Sequence, residues 1–218
     1  MSDVELVIFD CDGVLVDSEV ISNEVLLQAL AAEGLEMTLQ ETRSAFQGLL
    51  LADVAARAEA KLGRELPADW LERYERDRDE AFRRELRPVA GAAEAVQRIA
   101  VAGIKVCVAS QGKLEKTRLS LSMTELRDFF PADALFSSHS VPRGKPHPDV
   151  FLHAAAAMKA RPSRSAVVED SVSGITAAVS AGMRVFGYAA DSDERALRAA
   201  GAEILRSLGE LPAVLGLA

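Results

Sequence analysis

The chain has 218 residues, enough for one substantial hydrophobic core and a smaller second domain. Apolar residues make up 49% and charged residues 27%, an ordinary balance for a globular protein, while aromatic residues make up only 5%. The net charge of -8 and the few aromatic side chains argue against nucleic acid as a partner, because both electrostatic attraction and stacking surfaces are lacking. An anionic substrate would have to be held by local groups or by a metal ion.

The sequence shows no targeting or membrane segment. No run of 18 apolar residues occurs, and Met1 is not followed by the basic and apolar segments of a secretory signal. Cys11 and Cys107 lie far apart in apolar runs, and we interpret them as buried free thiols in a reducing compartment. We therefore expect a cytoplasmic protein without membrane association. The sequence does not indicate the oligomeric state.

The first predicted element is a short apolar strand at residues 6–9, and a long region without a strand pattern follows it. Helical periodicity of apolar residues dominates this region. Thr38 and Glu41 have the spacing of a capping box, which predicts the start of a helix, and residues 69–87 form a charged amphipathic segment. We interpret residues 16–87 as a helical domain inserted after the first strand.

Residues 1–15 and 88–218 carry the pattern of an α/β domain. Three further apolar runs, bounded by Gly, Asp or Ser, are predicted to be buried strands. They lie at residues 104–109, 166–168 and 184–188. Helical patterns occur between and beside these strands, at residues 92–102, 148–158 and 174–181. Repeated strand–helix units predict an open α/β sheet with parallel strands and right-handed crossovers.

Polar side chains follow three of the predicted strands at the points where the strands end, and a lysine precedes a later helix. These residues are Asp10, Asp12, Ser110, Gln111, Lys145, Glu169 and Asp170. Because open α/β sheets bind ligands beyond the carboxyl ends of their strands, we expect these side chains to gather at one edge of the sheet.

The four carboxylates in this group need a positive partner. At about 4 Å and an effective dielectric constant near 20, each pair of like charges costs roughly 4 kcal/mol. A hard divalent cation would offset this repulsion, and Mg²⁺ is suitable because it retains water and shares the phosphate oxygens of a substrate. Lys145 would add further positive charge. The sequence therefore predicts a magnesium-dependent phosphoryl-transfer site.

The positions of the two aspartates suggest different roles. Asp10, at the tip of the first strand, is predicted to attack phosphorus and form an aspartyl phosphate. Asp12 would protonate the leaving group and then activate water. The metal ion, Lys145 and the Ser110 hydroxyl would stabilise the charge on the equatorial oxygens of the transferring group.

Four segments resemble the motifs of the haloacid dehalogenase-like (HAD) phosphohydrolases, in the order of that family. They are residues 10–18 (DCDGVLVDS), 108–111 (VASQ), 144–149 (GKPHPD) and 168–171 (VEDS). The resemblance covers the whole chain and is greatest to the subgroup of β-phosphoglucomutase, phosphoglycolate phosphatase and sugar-phosphate phosphatases. Residues 17–22 look most like 6-phosphogluconate phosphatase-type members. The resemblance implies a Rossmann-like core with a helical cap inserted after the first motif.

The resemblance also implies roles for individual residues. The implied Mg²⁺ ligands are Asp10, Asp12, Glu169 and Asp170. Asp12 would bind through its main-chain carbonyl, and Glu169 would be either a ligand or a partner of one. The residues predicted to bind the substrate are Ser110, Gln111, Lys145 and Gly48. The segment at Gly48 is either a specificity loop of the cap or a site of packing between the domains. Gln111 stands where Asn, Ser or Ala is more usual.

We expect a HAD-family phosphoric monoester hydrolase that acts on a small phosphorylated molecule, a sugar or sugar-acid phosphate. A phosphosugar mutase that uses the same Asp10 and a non-catalytic phosphate-binding module are the alternatives. β-Phosphoglucomutases carry a His in the first cap helix and basic residues after a cap glycine, whereas this chain has Ser22, and Leu49–Leu51 after Gly48. These differences favour the phosphatase. The presence of Asp12 separates the chain from the dehalogenase branch, which lacks a second aspartate.

Overall fold

The structure is a computed structural model, and it describes residues 3–46 and 49–217. The chain divides into two compact units. The larger unit consists of Met1–Asp17 and Arg87–Ala218, and the smaller consists of Ser18–Leu86. These limits differ from the predicted inserted domain, residues 16–87, by two residues at its start and one at its end.

The larger unit contains a six-stranded parallel sheet in the order β3-β2-β1-β4-β5-β6. The strands are β1 (Leu6–Phe9), β2 (Lys105–Ser110), β3 (Leu135–Ser137), β4 (Ser165–Glu169), β5 (Arg184–Tyr188) and β6 (Glu203–Leu205). All four residues of β1 are fully buried, as expected of a central strand covered on both faces. The strand order reverses between β1 and β4, which makes the carboxyl ends of these two strands the topological switch point.

The smaller unit consists of helices in its described residues. They are α1 (Glu19–Ala32), α2 (Leu39–Phe46), α3 (Leu51–Leu62) and α4 (Trp70–Glu85). The predicted capping box begins α2: the Thr38 N–H donates to Glu41 Oε2 at 2.8 Å, and the Glu41 N–H donates to Thr38 Oγ1 at 3.2 Å. The apolar core of this unit includes Leu30, Trp70 and Tyr74.

The helices of the larger unit are α5 (Ala92–Val101), α6 (Leu114–Met123), α7 (Asp149–Ala157), α8 (Val172–Ser180), α9 (Glu194–Ala199) and α10 (Leu211–Val214). Of these, α7 and α8 contribute buried small residues to the core around the sheet, including Ala154, Ala155, Ala177 and Ala178. Small side chains allow close packing of helix and strand. In the described residues, no helix has both the length and the apolarity that crossing a bilayer requires.

The structure confirms the predicted α/β fold and its four predicted strands. The sequence analysis missed β3 and β6, which have only three residues each. The predicted helices at residues 92–102, 148–158 and 174–181 correspond to α5, α7 and α8.

Candidate active site

Asp10 lies at the switch point, directly after β1. Its N–H donates to the Val168 carbonyl of β4 at 2.9 Å, so the main chain is held at the end of the sheet. The side chain is 6% exposed, and its Oδ1 accepts a hydrogen bond from Lys145 Nζ at 2.5 Å. Burial raises the pKa of Asp10 to about 7; Lys145 acts against this rise, and the charges of Glu169 and Asp12 add to it.

Lys145 joins Asp10 to Glu169. Its buried Nζ donates to Glu169 Oε1 at 2.6 Å as well as to Asp10, and it lies 5.0 Å from the centroid of the Phe151 ring. Burial alone would lower the pKa of Lys145, but the charges of Asp10 and Glu169 outweigh it and hold that pKa above its usual value. Lys145 is therefore a charged group fixed beside the predicted nucleophile.

Glu169 is engaged at both carboxylate oxygens. Oε1 accepts from Lys145, and Oε2 accepts from the N–H and Oγ of Ser171 at 2.9 and 2.8 Å. Ser171 in turn caps α8 by accepting from the Gly174 N–H at 3.0 Å. A Cβ at Gly174 would lie 1.8 Å from Glu169 Oε1, so only glycine fits there. These contacts make Glu169 a partner of Lys145, while its predicted part in a metal site stays a prediction.

Asp12 contacts a lysine that the sequence analysis missed. The Lys116 ammonium, on the first turn of α6, donates to Asp12 Oδ1. The Lys116 side chain passes over Gly112, where an added Cβ would lie 3.2 Å from Lys116 Cδ. Side chains of a helix tilt toward its amino end, and α6 begins at the carboxyl edge of the sheet. This tilt is the signal that could have identified Lys116.

Asp170 lies against the loop that follows Asp10. A Cβ at Gly13 would be 2.1 Å from Asp170 Oδ2, and the φ of Gly13 is +74°, so glycine is required there on both grounds. The carboxyl groups of Asp10, Asp12 and Asp170, which follow strands, and of Glu169, the last residue of β4, thus lie at this edge of the sheet. Counted at their formal charges, these four carboxyl groups and the two lysines Lys145 and Lys116 carry an excess of two negative charges.

This excess of negative charge and the oxygen donors fit a magnesium ion. Across residues 3–46 and 49–217, no group of three or more His, Cys, Asp or Glu side chains is arranged to hold a metal ion. Asp12 was predicted to bind through its main-chain carbonyl, which is not a side-chain ligand, and both Glu169 carboxylate oxygens already accept hydrogen bonds from Lys145 and Ser171. Mg²⁺ typically binds one or two carboxylates and completes its shell with water and phosphate oxygens, which suits Asp10 and Asp170.

The remaining predicted substrate-binding residues are Ser110, which ends β2, Gln111, which follows it, and Gly48. Ser110 is buried, and its Oγ accepts from the Gly112 N–H at 3.0 Å. Gln111 Oε1 accepts from the main-chain N–H of Lys145 at 3.1 Å, so this amide oxygen contacts the protein itself. Gly48 lies outside the described residues, and its predicted role stays a prediction.

Comparisons with known proteins identify the family of the chain. The sequence profile of the haloacid dehalogenase-like hydrolases matches residues 7–188. The chain is 32% identical to 6-phosphogluconate phosphatase of Escherichia coli K12 over 213 residues, which cover 97% of this chain and 95% of that protein. It is 34% identical to hexitol phosphatase B of the same organism over 180 residues, covering 81% and 80% of the two chains.

A solved structure is similar over nearly the whole length. It is a HAD family hydrolase of Deinococcus radiodurans R1 with bound phosphate and sodium, at a TM-score of 0.81 and 31% identity. The match covers 99% of this chain and 96% of that one. The predicted family and enzyme class are thereby confirmed. The chain belongs to the haloacid dehalogenase-like hydrolase family and is a phosphoric monoester hydrolase of that family.

Proposed function

We propose that this enzyme is a magnesium-dependent phosphatase that hydrolyses a sugar or sugar-acid phosphate through an aspartyl phosphate on Asp10. The observation that carries the proposal is the arrangement of Asp10 and Asp12 at the switch point, each paired with a different lysine. The names of the similar proteins, 6-phosphogluconate phosphatase and hexitol phosphatase B, support a phosphorylated sugar or sugar acid as the substrate class.

In the first step, a carboxylate oxygen of Asp10 forms a bond to phosphorus while the bond from phosphorus to the ester oxygen breaks. Asp12 transfers its proton to the departing oxygen, and the product alcohol leaves. Lys145, beside Asp10 Oδ1, and the hydroxyl of Ser110 offset the charge on the phosphoryl oxygens. The product of this step is an aspartyl phosphate at Asp10.

In the second step, Asp12 takes a proton from water, and the water oxygen attacks phosphorus. The bond between phosphorus and the Asp10 oxygen breaks, inorganic phosphate leaves, and the carboxylate is restored. Asp12 ends the cycle with the proton that it needs for the next one. The acid of the first step is thus the base of the second, since Asp12 gives up a proton in one and takes a proton from water in the other.

The proposed ligands for Mg²⁺ are the carboxylates of Asp10 and Asp170 and the main-chain carbonyl of Asp12. Bound Mg²⁺ would supply charge neutralisation for the phosphoryl oxygens and for the carboxylates. Glu169 would act indirectly by holding Lys145 at the nucleophile. The formal excess of negative charge and the oxygen donors at this edge of the sheet support a divalent cation.

Phosphate release from a panel of sugar and sugar-acid phosphates is the direct test. We expect release with added Mg²⁺ and a loss of about 10²-fold or more when EDTA removes the metal, because Mg²⁺ carries much of the charge stabilisation. Absence of release from every compound would refute the proposal. Conversion of a hexose 1-phosphate to its 6-phosphate, without net phosphate release, would favour the phosphosugar mutase instead.

Lys116→Met is expected to reduce hydrolysis of a sugar phosphate far more than hydrolysis of p-nitrophenyl phosphate. Lys116 holds the Asp12 carboxylate, and only the poor alkoxide leaving group of a sugar phosphate needs the proton from Asp12. We expect kcat/KM to fall about 10²-fold for the sugar phosphate and less than about threefold for the aryl ester. The ratio kcat/KM is the suitable measurement because it reports the first irreversible step, formation of the aspartyl phosphate.

Arg118→Met is the matched control, since Arg118 is an exposed cation on the same helix. We expect this variant to resemble the wild type with both substrates. Equal losses with the two substrates in Lys116→Met would contradict a role through Asp12 and would indicate contact with the phosphoryl group.

A further inference from the structure

Lys145 belongs to an irregular segment between β3 and α7, so no strand or helix fixes its main chain. Its ammonium group nevertheless makes two short contacts, with Asp10 and Glu169. A lysine side chain has four rotatable bonds and little preferred shape. The place where its main chain is anchored therefore decides whether the ammonium group can reach both carboxylates.

Gln111 supplies such an anchor. Gln111 directly follows β2, the neighbour of β1, and its Oε1 accepts from the Lys145 N–H at 3.1 Å. The segment also approaches the Gln111 amide closely at Gly144, where an added Cβ would lie 3.0 Å from Oε1 and 3.1 Å from Nε2. The φ of Gly144 lies outside the left-handed region, so close approach is the reason for a glycine here.

The length of the Gln111 side chain matters for this contact. An asparagine at the same position would end one methylene earlier, so its amide oxygen would fall about 1.5 Å short of the Lys145 N–H. Glutamate would keep both the length and an oxygen acceptor. Methionine would keep the length and lose the acceptor.

We infer that Gln111 is a positioning residue: it fixes the main chain of Lys145 and thereby places the ammonium group of Lys145 against Asp10. This role replaces the substrate contact that the sequence analysis assigned to Gln111. Only the expected effect of Gln111 on turnover rests on the proposed function. The hydrogen bond and its consequence for the loop can be tested in an inactive protein as well.

Hydrogen exchange at the Lys145 amide is the first test. Mass spectrometry of a peptide spanning residues 143–149 is sensitive to this amide, because Pro146 and Pro148 carry no amide hydrogen. In Gln111→Met and Gln111→Asn we expect exchange about tenfold or more faster than in the wild type, since the acceptor is lost or out of reach. In Gln111→Glu we expect exchange close to that of the wild type.

Turnover of a phosphomonoester that the wild type hydrolyses is the second test. We expect kcat to fall about tenfold in Gln111→Met and Gln111→Asn, because displacement of a catalytic group by an ångström costs up to about 10²-fold. We expect Gln111→Glu to lose less than either. A direct substrate contact predicts the reverse order, because asparagine keeps an amide donor for phosphate and glutamate repels phosphate.

Ser138→Ala is the matched control beside the same loop. Ser138 Cβ lies 3.3 Å from the Cβ position of Gly144, and its buried Oγ has no hydrogen-bond partner within the described part of the chain. We expect unchanged exchange and turnover in this variant. The inference would be overturned if the Lys145 amide exchanged as slowly in Gln111→Met as in the wild type. Higher turnover in Gln111→Asn than in Gln111→Glu would also overturn it. An inactive wild type would instead refute the proposed function and leave the exchange test decisive for Gln111.

Discussion

Asp10→Asn is expected to lose phosphate release by about 10³-fold or more, because an amide cannot form the acyl phosphate. The fold should survive, since asparagine has nearly the same shape as aspartate. The hydrogen bond from the Asp10 N–H to the Val168 carbonyl also does not involve the side chain. Lys145 also keeps its second carboxylate, Glu169. Turnover measured with saturating Mg²⁺, together with a thermal unfolding midpoint within about 4 °C of the wild type, checks the prediction.

The proposed intermediate gives a second measurement for Asp10. Wild-type enzyme mixed briefly with substrate and quenched in acid should carry one phosphoryl group on the peptide that contains Asp10, and Asp10→Asn should carry none. Asp133→Asn, a change of an exposed aspartate in the same unit, is the control and should behave as the wild type. Magnesium-dependent turnover near the wild-type rate in Asp10→Asn would contradict the assignment of the nucleophile.

The sheet was predictable where its strands are fully buried. A strand covered on both faces must be apolar at every position, and β1, with all four residues buried, therefore stands out in the sequence. β3 and β6 are the two edge strands and have three residues each. Three residues are too few to show a period, so nothing in the sequence distinguishes such strands from loops.

The site was predictable in its residue types and less so in its contacts. Strand ends locate Asp10, and the motif around Lys145 supplies the cation, but the sequence does not say which oxygen each ammonium group contacts. The Glu169 carboxylate can reach Lys145 only because the space that it occupies is left open by Gly174, where an added Cβ would lie 1.8 Å from Glu169 Oε1. Lys116 is 104 residues from Asp12 in sequence, and only the placement of α6 brings them together.

Lys145→Met is expected to destabilise the protein by about 3–5 kcal/mol at pH 8 and to reduce turnover by about 10²-fold or more. The substitution leaves the carboxylates of Asp10 and Glu169 buried without their shared cation, and an uncompensated buried charge costs this much. Urea unfolding with a linear extrapolation measures the difference in the free energy of unfolding. A loss below about 1 kcal/mol would show that the three groups are not coupled in the folded protein.

The loss of stability in Lys145→Met should shrink as the pH falls. Burial already raises the pKa of Asp10 to about 7 while Lys145 acts to lower it, so removing Lys145 raises this pKa further. A carboxyl group with a raised pKa in the folded state favours folding at low pH, and that contribution is lost as the pH rises through the folded-state value. Lys145→Met should therefore lie closer to the wild type in free energy of unfolding at pH 5.5 than at pH 8.

A double variant separates the structural role of Lys145 from its catalytic role. Lys145→Met combined with Glu169→Gln removes the cation and one of its two carboxylates, so fewer buried charges are left unpaired. We expect it to recover part of the stability that Lys145→Met loses, while turnover stays as low as in the single variant. Losses of stability that simply add would mean that Lys145 and Glu169 do not interact, whereas recovered turnover would mean that Lys145 serves only to neutralise its neighbours.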